Sequence, residues 1–306
     1  MVAPSGEQYE ISGGGYRAVV TECGGGLRVL EYDGRPVVAG YDVDTMAPSG
    51  AGQLLVPWPN RIQEGAYSFG GTDHQLPLSE PARHNASHGL VRWASWTLEE
   101  KTDNTVSLVY RLMAQKGYPW TVDLHVLYDL SADGLTVTVT ATNMGPSAAP
   151  YAQGAHPYLT VGDDGVDGWE LTLPAATCLT VDDRKIPTGR AEVAGTDRDF
   201  RDPRTLDAVE LDTAFTDLSR SAEGRVEVLV RNPATGHGVL LWMDEAHRWV
   251  QVYTGDDLGE RARMSLAVEP MTAPPNAFRT GEDLVTLAPA GEDGDEHSSS
   301  WGIRAL

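Results

Sequence analysis

Residues 135–142 read LTVTVTAT. Leu135, Val137, Val139 and Ala141 alternate with threonines, so one face of the segment is apolar and the other can meet water. Successive side chains of a strand point to opposite faces, and a half-buried β-strand is the element that uses a period of two. Strand candidates recur in TVSLVYRL from Thr105, WTVDLHVLYDL from Trp120, GVLLWM from Gly238 and RWVQVYT from Arg248. YRAVVTE and LRVLEYD, with CGGG between them, read as an early antiparallel pair. No long run carries the helical period, and 33 Gly and 19 Pro punctuate the chain. Many short strands, frequent turns and few helices predict an all-β fold, a large antiparallel β-sandwich. No break in composition divides the chain, so residues 1–306 are expected to form a single domain. Residues 46–87 and 181–206 read as long loops, which in a compact β protein often build a site. GEDGDEHSSS reads as a mobile, solvated loop ahead of a final strand in WGIRAL.

The formal charge is −21 at pH 7. Such a chain repels phosphate backbones and anionic lipid, which argues against nucleic-acid and membrane partners and for a neutral or weakly charged small substrate. Cys23 and Cys178 have no zinc spacing and no CxxC pairing; one disulfide between them stays open. The N-terminal residues lack a basic start and an apolar core, and nothing approaches a spanning apolar run. A cytoplasmic protein, monomer or homodimer, is expected.

Four stretches gather polar side chains beside turn formers. In LVPWPNRIQEGAYSFGG, Pro57 and Pro59 stiffen the approach to Asn60 and Arg61. The planar fork of Arg61 could hold a carboxylate or sugar hydroxyls, or pin a loop. In RHNASHGLVRWASW, His84 and His88 stand four apart, a metal pair only if helical. Asn85, Ser87 and Gly89 argue for a loop, no third ligand is evident, and a neutral His88 hydrogen-bonding in a pocket is the better reading. In YAQGAHPYLTVG, His156 precedes Pro157, which holds its backbone extended, with Tyr151 and Tyr158 nearby. Such a histidine could be a general acid or a satisfied core residue. In AVEPMTAPPNAF, Glu269 stands at the end of an apolar strand, where burial would raise its pKa toward that of a useful base; capping a turn is the alternative. Asp212 in LDTAFTDL and Gln251 in WVQVYTGDD add polar groups on strands. An imidazole acid and a carboxylate base amid hydrogen-bonding groups make a plausible sugar site. No P-loop, serine elbow or nucleotide fingerprint competes.

Taken in order, PWPNRIQEGAYSFGG, ASHGLVRW, GAHPYLTVG, LDTAFTDL, VQVYTG and VEPMTAPPNAF resemble the aldose 1-epimerases, or galactose mutarotases, over most of the chain. The resemblance implies a sandwich with a sugar cleft and cofactor-free, metal-free interconversion of the α and β anomers of a free aldose. By analogy His156 protonates the ring oxygen and Glu269 takes the proton of the C1 hydroxyl, the two facing each other across the ring. Asn60, Arg61, His88, Pro157, Tyr158, Asp212 and Gln251 would bind hydroxyls or orient the pair. The stretch SHGLVRW lacks the second glycine of the better-known galactose enzymes and looks more like a bacterial subgroup of less defined substrate. Alternatives are a non-catalytic carbohydrate-binding or sensing protein on the same fold, a metal-dependent isomerase using His84 and His88, and a hexose-6-phosphate 1-epimerase. The last would need a cluster of basic residues at the cleft, which an acidic chain does not advertise.

Overall fold

The computed structural model describes residues 2–306. Its strands build two large antiparallel sheets. A nine-stranded sheet runs Thr97–Lys101, Thr105–Leu112, Val122–Ser131, Gly134–Asn143, Glu296–Ala305, Gly238–Met243, Val226–Arg231, Glu170–Thr172, Arg204–Thr205. An eight-stranded sheet runs Pro187–Glu192, Ala175–Val181, Asp212–Leu218, Trp249–Tyr253, Leu266–Met271, Gly154–Ala155, Leu54–Leu55, with Tyr158–Leu159 also paired to Leu266–Met271. The one α-helix among the described residues is the four-residue turn Ala277–Thr280.

Alternation decides what each sheet buries. Val122, Leu124, Val126, Tyr128 and Leu130 of one sheet join Phe215, Val250, Val252, Leu266 and Val268 of the other in one buried cluster. That shared core is what a sandwich predicts when both sheets turn their apolar faces inward. In the eight-stranded sheet the opposite parity therefore points away from this core. Asp212 and Ala214, Trp249 and Gln251, and Glu269 and Met271 share that second face. Leu179, Ala214, Trp249 and Met271 form a small apolar cluster of their own there.

Three sequence expectations change. EHSSS is not loop: Glu296–Ala305 is a ten-residue strand in the middle of the large sheet. Its hydroxyls pair across strands, Ser300 with Thr138 at 2.8 Å and Ser298 with Thr140 at 3.0 Å, so polar residues sit on a strand without an apolar face to announce it. Residues 46–87 hold five short strands, and 181–206 contain Pro187–Glu192 and Arg204–Thr205. Glu269 is the fourth residue of Leu266–Met271, inside the strand rather than at its end. Pro270 follows it within the same strand. Cys23 and Cys178 are both free. Among the described residues no helix is long and apolar enough to cross a membrane.

Candidate active site

Glu269 lies directly opposite Gln251 in the strand register, and Gln251 lies opposite Ala214. Asp212, two residues from Ala214, accepts a hydrogen bond on its Oδ1 from Gln251 Nε2 at 2.7 Å. One sheet face thus carries a row of carboxylate, amide and carboxylate on three adjacent strands. Lys185 Nζ stands 3.0 Å from the other Asp212 oxygen, an ion pair supplied by the 181–206 segment.

His156 arrives from outside this row. Its backbone is tied on both sides to the turn before Leu54–Leu55: His156 N–H donates to Gln53 O at 3.1 Å, and Gly52 N–H donates to His156 O at 2.9 Å. The ring stacks on Tyr158, centroids 4.8 Å apart and planes at 24°. On another side is Gly50, whose φ of +78° and position leave a Cβ only 3.3 Å from the imidazole. A side chain there would be strained by its backbone and crowd the ring. His156 Nε2 lies 3.4 Å from Glu269 Oε1, and the two residues are 5 % and 2 % exposed. The acid and base candidates therefore stand side by side, not on opposite edges of a ring-sized gap. The reacting oxygens of a pyranose, the ring oxygen and the C1 hydroxyl, are both bonded to C1, so neighbouring groups suit them.

His88 flanks His156 with ring centroids 5.5 Å apart. Asn60 N–H donates to His88 Nδ1 at 3.2 Å, and His88 N–H donates to Asn60 O at 2.8 Å. An accepting Nδ1 leaves the proton on Nε2, which makes His88 a neutral donor. Burial and the cations Arg92 and Arg61, with His156, push its pKa well below the usual value. His84 is exposed at a left-handed turn, whereas His88 lines the cavity. The intervening Asn85–Ser87 is a strand paired with Arg61–Gln63, so the four-residue spacing does not lie on a helix.

Arg61 does hold a carboxylate, but one of the protein's own. Its Nε and Nη2 meet the two oxygens of Glu80 at 2.8 and 3.1 Å, while Arg83 Nη1 meets Glu80 at 2.8 Å. The strand carrying Arg61 is braced by Asn276, in the left-handed region at φ +69°: its N–H donates to Arg61 O at 2.6 Å and its Oδ1 accepts from Gln63 N–H at 3.0 Å. The PNAF stretch is thus a strut for the arginine. Glu80→Ala is expected to destabilise the fold by about 3 kcal/mol, because the buried Arg61 guanidinium loses its counter-charge; Arg83, 36 % exposed at its side chain, adds little. Equilibrium urea unfolding reads this, and a cost within error of zero would show that Arg61 is positioned by other means.

These groups enclose a cavity of about 300 Å³, lined by Asn60, Arg61, His88, His156, Tyr158, Asp212, Gln251 and Glu269 among others. That is the small end of the range for small-molecule pockets. Eight of the nine residues singled out from the sequence meet here. Pro157 is off the wall; its carbonyl accepts from Val268 N–H at 3.2 Å and secures the chain beyond His156. Asn60 Oδ1, His156 Nδ1, Gln251 Oε1 and Glu269 Oε2 are buried with no hydrogen-bond partner among the described residues. Unsatisfied polar atoms are costly, and four in residues around one cavity mark a place built for a polar ligand. A larger open groove of about 1030 Å³ lies further along, around Trp249, but it holds no acid–base pair and its Arg190 and Arg248 are bonded to Glu282 and Asp283. The sequence reading missed Ser49, Glu80, Arg83, Lys185, Tyr253 and Asp257 at or beside the cavity. It quoted SHGLVRW but passed over Arg92, which also lines the cavity.

Burial sets the charge state of the central pair. It lowers His156 to about 4, with Arg92 and Arg61 acting in the same direction against Asp212. It raises Glu269 well above the ordinary carboxylate value, aided by Asp212 and opposed by Arg61. Both shifts favour neutral imidazole beside protonated carboxyl, with one exchangeable proton between them.

An antiparallel β-sandwich enzyme with an imidazole–carboxyl pair at the floor of a polar pocket is the class that this fold and site define. The chain belongs to the aldose 1-epimerase family, whose profile, described as Aldose 1-epimerase, matches residues 7–298. It is 36% identical over 300 residues to an uncharacterised protein of Escherichia coli strain K12, YihR, an alignment covering 98% of this chain and 93% of that one. It is 29% identical over 216 residues to mouse galactose mutarotase, covering 65% of this chain and 60% of the mouse protein. Among solved structures it superposes on an aldose epimerase homologue from Caenorhabditis elegans with a TM-score of 0.87 at 20% identity, covering 98% of each chain. A galactose 1-epimerase from Lactobacillus acidophilus gives a TM-score of 0.80 at 19% identity, covering 96% of this chain and 92% of that one.

Proposed function

We propose that this chain is a mutarotase that opens and recloses the ring of a free aldose in the cavity around His156 and Glu269, acting as one domain without a cofactor. The 3.4 Å contact between His156 Nε2 and Glu269 Oε1 inside that cavity carries the reading. In the ring-closed state the active form is imidazolium and carboxylate. His156 gives its proton to the ring oxygen while Glu269 takes the proton of the C1 hydroxyl. The C1–O5 bond breaks, C1 becomes an aldehyde, and the pair is left as imidazole and carboxylic acid. Rotation about C1–C2 presents the other aldehyde face. The reverse transfers then close the ring with O1 on the opposite side.

The proton count explains why burial helps. The neutral pair favoured by this dry pocket is the protonation state that accompanies the open chain. Desolvation penalises the charged pair of the closed state and so drives the opening transfers. Asn60, Arg61, His88, Tyr158, Asp212 and Gln251 are assigned to hydroxyl binding and to orienting the pair. A pure sugar binder would not need two titratable groups arranged to exchange one proton.

The test is polarimetry, or NMR exchange, on freshly dissolved anomers of neutral aldoses. Relaxation faster than the buffer-catalysed rate supports the proposal; sugar-dependent thermal stabilisation with unchanged relaxation supports a binding protein instead. The pH profile is expected to be bell-shaped. Below about 4 a second proton on His156 leaves both groups protonated and no base. At high pH, past the raised pKa of Glu269, the pair has lost its proton and no acid remains. A rate that climbs steadily with pH, as hydroxide catalysis would, counts against the pair.

A further inference from the structure

We propose that a buried hydrogen-bonded clamp between Gln153 and Thr272, anchored through the core to Ser299, His247 and Asp244, is the device that sets His156 against Glu269. The inference rests on the mutarotase reading above and adds positioning residues to it. None of the five lines the sugar cavity.

Strand register shows what has to be held. Gly154 pairs with Met271, and Tyr158 pairs with Ala267. Both pairs belong to one antiparallel register, which sets His156 opposite Glu269 and Gln153 opposite Thr272. A slip of one residue would turn His156 to the other face of the sheet. Yet the ladder is thin where the acid and base meet. His156 N–H and C=O bond to Gln53 and Gly52 instead, Pro157 has no N–H, and a single bond from Val268 N–H to Pro157 O spans the two strands. The clamp lies three residues from the pair on each strand. Gln153 N–H donates to Thr272 Oγ1 at 2.9 Å, and Thr272 N–H donates to Gln153 O at 2.9 Å.

The Gln153 side chain ties this clamp to the opposite sheet. Tyr151 O–H donates to Gln153 Oε1 at 2.6 Å. Gln153 Nε2 donates to Ser299 Oγ, on the strand Glu296–Ala305 of the nine-stranded sheet. Ser299 Oγ lies 3.4 Å from His247 Nε2, and His247 Nδ1 lies 2.8 Å from Asp244 Oδ1. A ring nitrogen facing a carboxylate carries the proton, which leaves Nε2 to accept from the serine hydroxyl. Every donor in the chain then meets an acceptor, and the bonds all run one way, from Tyr151 to Asp244. Gln153, Thr272, Ser299 and His247 are each 2 % exposed or less, beside the apolar core cluster to which Tyr151 belongs. A fully satisfied polar chain in such a place rigidifies and specifies one arrangement of the segments that it joins. Asp244, His247 and Ser299 have the order of a nucleophile triad. Ser299, however, is buried and its oxygen already accepts from Gln153, so the serine is an anchor.

Thr272→Val and Thr272→Ser separate the hydrogen bond from the packing. Valine keeps the shape but removes the acceptor of Gln153 N–H, whereas serine keeps the hydroxyl. On an aldose that the parent turns over, NMR exchange should show kcat lowered by about 10–100-fold in Thr272→Val, the order of loss that a small misplacement of reacting groups brings. Sugar-dependent thermal stabilisation should be unchanged, and Thr272→Ser should keep most of the parental rate. Ser299→Ala releases the anchor but leaves the clamp, and is expected to lower kcat by about 3–10-fold. A readout independent of turnover is the NMR titration of the His156 ring. From about 4 in the parent it should rise toward the ordinary histidine value in Thr272→Val, as water reaches a loosened ring still faced by Glu269, Arg92, Arg61 and Asp212. In Thr272→Ser it should stay where it was. Parental kcat with an unmoved His156 titration in Thr272→Val overturns the inference. Equal losses in the valine and serine variants do so as well, since they would mark Thr272 as packing alone. A parent that accelerates no aldose overturns the mutarotase reading instead, and the His156 titration then decides the clamp by itself.

Discussion

Glu269→Gln is expected to slow catalysed anomer exchange by about 10³-fold while leaving sugar-dependent thermal stabilisation in place. The amide keeps the shape of the side chain on its strand but cannot take the C1 hydroxyl proton. The same change should stabilise the empty protein at alkaline pH. Burial raises the folded-state pKa of Glu269 above its unfolded value. The protonated carboxyl's contribution is then fully present below the unfolded pKa and is lost as pH rises through the folded one. An amide never ionises, so the variant's Tm should exceed the parent's at pH 8, and the gap should close toward pH 4. An active Glu269→Gln protein would remove the base from the mechanism. A variant that is inactive but no more stable at pH 8 would show that the carboxylate is better solvated than its burial implies.

His156→Gln is expected to cost a similar factor, about 10²–10³-fold, and to erase the acidic limb of the pH profile near 4. The second effect separates a proton donor from a residue that only shapes the pocket, since a positioning role would lower the rate without moving the limb. His156 is depressed below its unfolded pKa, so the parent should lose stability as pH falls from the ordinary histidine range through about 4, and the variant should lose less. Combining both substitutions should cost little more than either alone, because acid and base act on one proton circuit. Fully additive losses would mean that the two side chains do separate jobs.

Much of the fold was legible because strands announce themselves through alternation. Two of the three ten-residue strands, Val122–Ser131 and Gly134–Asn143, fell within a residue or two of where WTVDLHVLYDL and LTVTVTAT placed them. The first half of Glu296–Ala305 escaped because Glu296, His297 and three consecutive serines carry no apolar alternation, whereas WGIRAL was read as a strand; only its neighbours show why the polar half is paired there. The site was legible in part. Glu269 and Gln251 could be read as polar intrusions in apolar strands, and His156 as a histidine held before a proline. Glu80 and Lys185 left no signal of a site role, since each reaches it through a partner 19 or 27 residues away in the chain, Arg61 and Asp212. Arg92 lies within SHGLVRW but nothing in that stretch sets it apart as a cavity residue.

Sequence alone determined the β class, the parity of the strands that alternate and hence the side chains of those strands that could share a face, because those follow from local backbone geometry with a period of two. Tertiary structure alone decided that the eight-stranded sheet turns its Glu269 face away from the main core, that His156 is brought against that carboxyl from another segment, and which arginines are neutralised. Those are long-range matters: they depend on which surfaces meet, how much water they exclude and which charges end up within a few ångströms. No local pattern encodes them.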